Sequence, residues 1–297
     1  DTFDRMLAQG RMGAGESYMD GWWDCEALDD FVYRVLRGRV VDELDQKGRF
    51  VVAALRARLR NLQSRRRAFQ VGQAHYDLGN DLFEAMLDSS MTYTCGYWDG
   101  VDNLDAAQEQ KLDLVCRKLY LEPGMRVLDI GCGYGSFARH AARHYGAEVV
   151  GVTVSREQAA LAEKSCAGLP VETRLQDYRD IDGTFEHVGY KNYRNFMRVA
   201  RNALRPDGLF LLHTIGAKYT STHTDPWIEK YIFPNGMLPS VTQIARAAEG
   251  LFIVEDWHNF GPDYDKTLMA WWRRFRDDWP ALRARYGDRF FRMWRYY

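Results

Sequence analysis

Two kinds of hydrophobic spacing divide this chain. From about residue 120, short apolar runs recur: Met125-Arg-Val-Leu-Asp-Ile130, Glu148-Val-Val-Gly-Val-Thr153, Val171 to Leu175, and Gly208 to His213. Each is strand-sized, and stretches with helical spacing lie between them. One helix is predicted from Ser136 to about Tyr145, and another starts near Asn192. A third opens at Ser155-Arg-Glu-Gln158, which has the spacing of a capping box. Strands alternating with helices at this length predict a parallel sheet covered on both faces. Residues 1–67 read as mostly helical instead. There Leu55, Leu59 and Leu62 fall at helical spacing among Arg56, Arg58 and Arg60, and Arg65-Arg66-Arg67 follows. The pattern therefore predicts a small, mainly helical N-terminal domain over 1–67 and an α/β domain over 68–297.

One strand is missing from the pattern. A doubly wound sheet needs a fourth strand, beside the first, after its third βα unit. Between Asp180 and the helix near Asn192 the chain offers only Ile-Asp-Gly-Thr-Phe-Glu-His-Val-Gly-Tyr-Lys, with no apolar run long enough for a central strand. A segment of roughly nine residues is therefore expected to be absent near 184–185. The turn Arg205-Pro-Asp-Gly208 then leads into the last predicted strand. The chain opens on Asp1 rather than Met, so residues are expected to precede it.

Composition narrows the class. With 46% apolar and 27% charged residues the chain reads as an ordinary globular protein. Its longest apolar runs fall far short of a bilayer span, and no charged segment followed by an apolar stretch marks a signal peptide. Five scattered cysteines form no CxxC pair and no metal-ligand set, which predicts reduced thiols in a cytosol and no metal site. A formal net charge of −1 removes most of the electrostatic case for nucleic acid. The basic helical stretch has two readings: a solvated face at a domain boundary, or a surface for anionic lipid headgroups. The 17 Tyr, 15 Phe and 9 Trp suit cores, and also amphipathic surfaces facing lipid.

Candidate chemistry begins at Asp129-Ile-Gly-Cys-Gly-Tyr-Gly135, at the carboxyl end of the first strand, where α/β sheets bind ligands. Gly131, Gly133 and Gly135 allow a tight turn and close backbone approach. Their spacing is GxGxG rather than the GxGxxG of dinucleotide binders, and Asp129 precedes them. The combination resembles the signature of class I S-adenosylmethionine-dependent methyltransferases, which implies that Rossmann-like fold and that cofactor. The second strand ends Gly151-Val-Thr-Val-Ser155 without the usual ribose-binding carboxylate. Thr153, Ser155 and Gln158 must then serve as neutral donors and acceptors, and a nicotinamide dehydrogenase is disfavoured.

Further strings point to one family. His75-Tyr-Asp-Leu-Gly-Asn-Asp-Leu-Phe83 and Met91-Thr-Tyr-Thr-Cys-Gly-Tyr-Trp98 precede the glycine loop. Leu175-Gln-Asp-Tyr-Arg-Asp180, Phe185-Glu-His-Val-Gly189 and Leu212-His-Thr-Ile-Gly216 follow it. Tyr231-Ile-Phe-Pro-Asn-Gly236, Asp256-Trp-His-Asn-Phe260 and the N-terminal Gly15-Glu-Ser-Tyr-Met-Asp-Gly-Trp-Trp23 complete the set. Together they resemble the cyclopropane fatty acid synthases and the related mycolic acid cyclopropane synthases. The N-terminal part is similar to the bacterial phospholipid enzymes.

The resemblance implies methylene transfer from S-adenosylmethionine to a cis double bond of a phospholipid acyl chain, through a carbocation deprotonated by bound bicarbonate. It implies that Cys95, Glu186, His213, Ile215 and Tyr264 frame that bicarbonate. It also places Tyr93, Thr94 and the three glycines near the methionine moiety, Thr153 and Gln158 near the ribose and adenine, and Gln176, Asp177 and Tyr178 beside the adenine. A homodimer, peripheral contact with a phospholipid bilayer and a place at the inner face of the cell membrane follow as expectations. The family continues beyond the point where this chain stops, at Arg295-Tyr-Tyr297.

Each site residue keeps a plainer reading. Cys95 could be a small buried apolar residue, His213 a core histidine with its partners satisfied, and Tyr264 a surface aromatic. Three other functions compete: an enzyme that stops at methylation of the alkene, an inactive lipid- or cofactor-binding protein, and, more distantly, a nucleic-acid methyltransferase.

Overall fold

The computed structural model describes residues 2–38, 79–176, 192–234 and 236–297. They gather in two compact units. The helices are α1 (Thr2–Gln9), α2 (Arg11–Met19), α3 (Leu28–Arg37), α4 (Asn80–Met86), α5 (Leu104–Lys118), α6 (Ser136–Tyr145), α7 (Arg156–Ser165), α8 (Tyr193–Ala203), α9 (Pro226–Tyr231), α10 (Val241–Ala248) and α11 (Asp263–Tyr296). The strands are β1 (Arg126–Ile130), β2 (Glu148–Thr153) and β3 (Val171–Leu175).

The larger unit contains the sheet. Its three strands are parallel in the order β1-β2-β3, with Val127 opposite Val149 and Val150 opposite Glu172. α6 and α7 are the crossovers, matching the predicted βαβ pattern. Ala138 and Ala141 of α6 pack with Cys116, Ala147 and Val149. Small residues there let helix and sheet approach closely.

The predicted strand over 208–213 carries no ladder among the described residues. A strand needs a partner backbone, and β1 is paired only with β2 there. Phe210 and Leu212 nevertheless pack with Ile130 against the core of α8 and α10, formed by Phe196, Met197, Ile244 and Ala248. Among the described residues the stretch is thus held by its side chains, packed with Ile130 of β1. The turn at Arg205–Gly208 forms as predicted, the Gly208 amide donating to the Arg205 carbonyl at 3.1 Å.

The smaller unit joins the described residues within 1–61 to 222–234 and 279–297, far along the chain. The boundary expected at residue 67 lies outside the described residues. In this unit the string Gly15–Trp23 has a packing logic. A Cβ on Gly15 would lie 2.3 Å from the buried ring of Trp227. Glu16 accepts from Arg5 at 2.7 Å and Tyr231 at 2.8 Å, and also pairs with Lys230 at 2.5 Å. Asp20 takes Arg5 and Arg289, and the Arg292 guanidinium lies 4.2 Å over the buried Tyr18 ring. The run assigned to α11 is broken at Gly287, whose φ of +74° no α-helix contains. No helix among the described residues is long and apolar enough to cross a membrane.

Candidate active site

The glycine loop leaves β1 as predicted. The amides of Gly131 and Cys132 both donate to the Val152 carbonyl at 3.0 Å, tying the turn to β2. Two glycines have distinct duties. Gly135 (φ +80°) faces α7, where a Cβ would press on Ala162 at 3.0 Å and Cys166 at 3.2 Å. Gly133 (φ +54°) has nothing within 4 Å of where its Cβ would stand, and it borders a cavity. A side chain there would project into ligand space.

That cavity, about 1690 Å³, is lined by Tyr93, Thr94, Asp129, Gly131, Gly133, Thr153, Gln158, Gln176 and His213. Among the described residues it extends from the glycine loop past β1 to Leu209–His213. Ser155 and Gly135 are not in its wall and act through structure. The Ser155 hydroxyl caps α7 by accepting from the Gln158 amide at 3.2 Å. The expected capping box is only half formed, because the Gln158 carbonyl oxygen accepts from the Thr153 hydroxyl at 2.9 Å instead. Thr153 in turn accepts from the Ser155 amide at 3.2 Å. This neutral triad stands where a ribose-binding acid would sit. Asp177, Tyr178 and Glu186 lie outside the described residues.

A clamped loop, residues 88–98, presents Tyr93, Thr94 and Cys95. Asp88 accepts from the amides of Ser90 and Thr92, and Met91 takes a positive φ of +60°. Gln108 of α5 donates to the Thr94 carbonyl at 2.8 Å. The Thr267 hydroxyl of α11 accepts from the Gly96 amide at 3.1 Å and the Trp98 indole at 2.9 Å, and lies 3.9 Å from the Cys95 sulfur. Asp263 holds the Trp98 amide at 2.8 Å. Cys95 therefore sits on a fixed backbone.

The electrostatics here are unusual. Lys111 of α5 is 3% exposed and donates to the Thr94 hydroxyl at 2.6 Å. Burial pulls its pKa down to about 8, against the opposing pull of Asp88, Cys95 and Asp129. Burial raises the Asp129 carboxyl to about 7, opposed by Lys111. Asp129 Oδ2 is buried with no hydrogen-bond partner, although the residue as a whole is part-exposed. Burial, with a smaller contribution from Lys111, takes His213 down to about 3, so its imidazole is neutral. Burial pushes the Cys95 thiol up to about 11, the Thr267 contact opposing it, so Cys95 is no thiolate at neutral pH.

Aromatic rings complete the surroundings. Tyr93 meets Phe83 at 5.2 Å and Trp271 at 5.1 Å between centroids, and Tyr264 meets Trp271 edge-on at 6.3 Å. His213 lies 5.6 Å from Phe260. Cys95 and His213 thus share the field of Lys111, and Tyr264 is linked to Tyr93 through Trp271. Ile215, two residues beyond His213, is 39% exposed. Cys95 is buried with its thiol protonated, and His213 is part-exposed by residue with a neutral imidazole. No cluster of three metal-ligating side chains occurs among the described residues.

Sequence reasoning passed over Lys111, Gln108, Thr267 and Trp271. Lys111 had a legible signal. The buried stripe of α5 runs Leu104, Ala107, Gln108, Lys111, Leu112, Cys116 at three- and four-residue steps, with a cation where an apolar residue is due.

Comparisons with known proteins agree with this site. Residues 63–297 match the family described as mycolic acid cyclopropane synthetase. The cyclopropane-fatty-acyl-phospholipid synthase of Escherichia coli (strain K12) is 54% identical over 306 aligned positions, covering all 297 residues here and 80% of that protein. At least nine of those positions have no counterpart in this chain. Tuberculostearic acid methyltransferase UfaA1 of Mycobacterium tuberculosis is 35% identical across 99% of this chain and 75% of its own. The cyclopropane synthase MmaA2 from Mycobacterium tuberculosis superposes with a TM-score of 0.71 at 30% identity, over 80% of this chain and 92% of its own. Mycolic acid cyclopropane synthase CmaA1, complexed with SAH and CTAB, gives 0.70 at 32% identity, over 77% and 90%. The cavity's features suit S-adenosylmethionine: room over Gly133, the orphaned Asp129 oxygen and the neutral Thr153–Gln158 pair. The chain belongs to the cyclopropane synthase family of S-adenosylmethionine-dependent methyltransferases.

Proposed function

We propose that this protein cyclopropanates unsaturated acyl chains of phospholipids. The observation that carries the reading is the 54% identity, spread over the entire chain, to a cyclopropane-fatty-acyl-phospholipid synthase. In the proposed reaction the alkene attacks the electrophilic sulfonium methyl and S-adenosylhomocysteine departs. Loss of a proton from the transferred carbon then closes the ring, so the lipid gains one CH₂ and one proton is released.

Three features of the site support this chemistry. Tyr93 lines the cavity, backed by Trp271 and through it by Tyr264, and offers a π face to a developing cation. Cys95 and His213 are neutral, so neither competes as a strong nucleophile or adds positive charge. Burial keeps water from trapping the cation. Bicarbonate is the base in this reading, with Cys95, His213, Ile215 and Tyr264 as the described residues proposed to frame it and Glu186 as a further one outside the described residues. Neutral groups suit that role, because they can orient the anion without quenching its basicity. The proposal includes peripheral contact with the bilayer, since the substrate resides there, and a homodimer.

A second reading, methylation without ring closure, has its support in the 35% identity to a tuberculostearic acid methyltransferase. Mass spectrometry of unsaturated phospholipid vesicles incubated with S-adenosylmethionine and bicarbonate separates the two. Gain of about 14 mass units with loss of the double bond is the cyclopropane outcome. The same gain with an alkene retained would replace it with the methylase reading.

A further inference from the structure

Lys111 and Asp129 are two opposite charges buried in the wall of one cavity, and they do not pair with each other. Each feels the other's charge, and Lys111 feels that of the buried Asp88 more strongly, yet no ion pair joins Lys111 to either carboxylate. The ammonium spends one of its three protons on the Thr94 hydroxyl, and Asp129 Oδ2 has no partner among the described residues. Burying a charge without a counter-ion is expensive, so a fold retains such a pair only if something else completes it. What completes a buried cation and a buried carboxylate held apart is a zwitterion. An α-amino acid head carries a carboxylate and an ammonium on one carbon, in just that complementary order.

The cofactor of this family has one such head, and its carboxylate is the only anionic group on the molecule. We propose that Lys111, together with the Thr94 hydroxyl it anchors, receives the carboxylate of the cofactor's amino-acid end, while Asp129 receives its ammonium. Lys111 therefore lies at the methionine end of the site, at the base of the 88–98 loop. It fixes the sulfonium's position along the cavity rather than touching the methyl that moves. The inference rests on S-adenosylmethionine being the cofactor, and is independent of the lipid substrate and the bicarbonate.

A lysine retained for packing would stabilise the empty protein. A lysine retained for a ligand should burden it, so Lys111→Met should raise the melting temperature of the ligand-free chain while weakening the ligand.

The test is calorimetric titration of the full chain at pH 7.5 with S-adenosylhomocysteine and with its decarboxylated analogue, a primary alkylamine that keeps the nucleoside and the ammonium. Wild type should bind the decarboxylated analogue at least tenfold more weakly than the acid. In Lys111→Met that ratio should fall to within about threefold, chiefly through loss of affinity for the acid, with the melting temperature unchanged or raised. A wild-type ratio near one would overturn the proposal without any variant. An undiminished ratio in Lys111→Met, or a loss seen only when bicarbonate is added, would overturn it too, the latter assigning Lys111 to the bicarbonate. Failure of wild type to bind S-adenosylhomocysteine at all would instead sink the cofactor reading on which it stands.

Discussion

Thr267 is where the geometry makes its firmest energetic statement. The side chain is fully buried, and its hydroxyl accepts two hydrogen bonds, from the Gly96 amide and the Trp98 indole. It donates a third to the Asp263 carbonyl one turn earlier in α11, at 2.9 Å. Thr267→Val keeps the shape and removes the acceptor. Two buried N–H groups are then stranded, each worth about 1–3 kcal/mol. The helix carbonyl is a lesser loss, because it can still accept from its helical partner. The expected destabilisation of the loop is therefore about 2–6 kcal/mol, with no cavity contribution. Thr267→Ser keeps the oxygen and drops one methyl, which costs about 1 kcal/mol.

The comparison of the two variants is the experiment. Because the chain has two units, global unfolding need not be two-state, so the readout should be local. Hydrogen exchange of the peptide spanning Gly96 and Trp98 reports opening of this loop directly. Valine should accelerate it roughly 30-fold or more, serine less than tenfold, by the usual 1.4 kcal/mol per decade. Alkylation of Cys95 should follow the same order, since the buried thiol reacts only from the opened loop. Equal behaviour of the two variants, or a valine effect under about 0.5 kcal/mol, would refute the assignment of the hydroxyl as the loop's anchor.

Three further expectations can be checked with similar means. Gly135→Ala should destabilise the fold by about 2–4 kcal/mol in urea melts, from a strained φ plus contact with Ala162, whereas Gly133→Ala should cost about 1 kcal/mol and mainly weaken S-adenosylhomocysteine in titrations. The Glu16 carboxyl is held down at about 2 by Lys230, Tyr231 and Arg5; a depressed acid stabilises above its unfolded pKa, so this contribution should vanish as pH falls from about 4.5 to 2. Glu16→Gln should cost about 1–3 kcal/mol at pH 7 and show little further loss over that acid range. Burial takes His213 down to about 3, so its contribution to stability is complete above about pH 6.5 and lost as pH falls towards 3, and its imidazole NMR signals should not titrate between pH 5 and 8. An inflection near 6.5 in the folded protein would contradict that burial.

How far the sequence could be read depended on how local each signal was. The half-sheet was legible because apolar runs, capping residues and the glycine loop act over a few neighbours, and β2 and β3 have the bounds read from the pattern. The strand expected between Asp180 and Asn192 falls on residues outside those described. Contacts of long sequence separation were not. Nothing near Thr267 announces that it anchors Gly96, 171 residues away. The Ser155 capping box was misread in part, because Thr153 competes for the Gln158 side chain at equally short range. Gly15 reads as a helix weakness until Trp227 is placed against it.

The two units differ in how they treat their charges, and the difference locates the function. In the smaller unit Arg5, Glu16, Asp20, Arg289 and Arg292 all find opposite partners within 3.1 Å. Around the cavity the local rules are broken together: a lysine on an apolar stripe, a carboxylate oxygen without a donor, and a methionine at positive φ. Each departure costs free energy in the empty protein, and the Thr94 hydroxyl relieves Lys111 only in part. Single departures occur elsewhere, such as the Tyr18 hydroxyl and the positive φ of Tyr120, but β1, α5 and the 88–98 loop bring three together beside one cavity. A ligand that neutralises them returns that energy as affinity. Saturating S-adenosylhomocysteine, at about 100 times its dissociation constant, should therefore stabilise the chain by roughly 2.7 kcal/mol. The added protection from hydrogen exchange should concentrate on these three segments and spare 2–38. Uniform protection over both units would mean that the strain is spread through the fold and is not stored at the cofactor site.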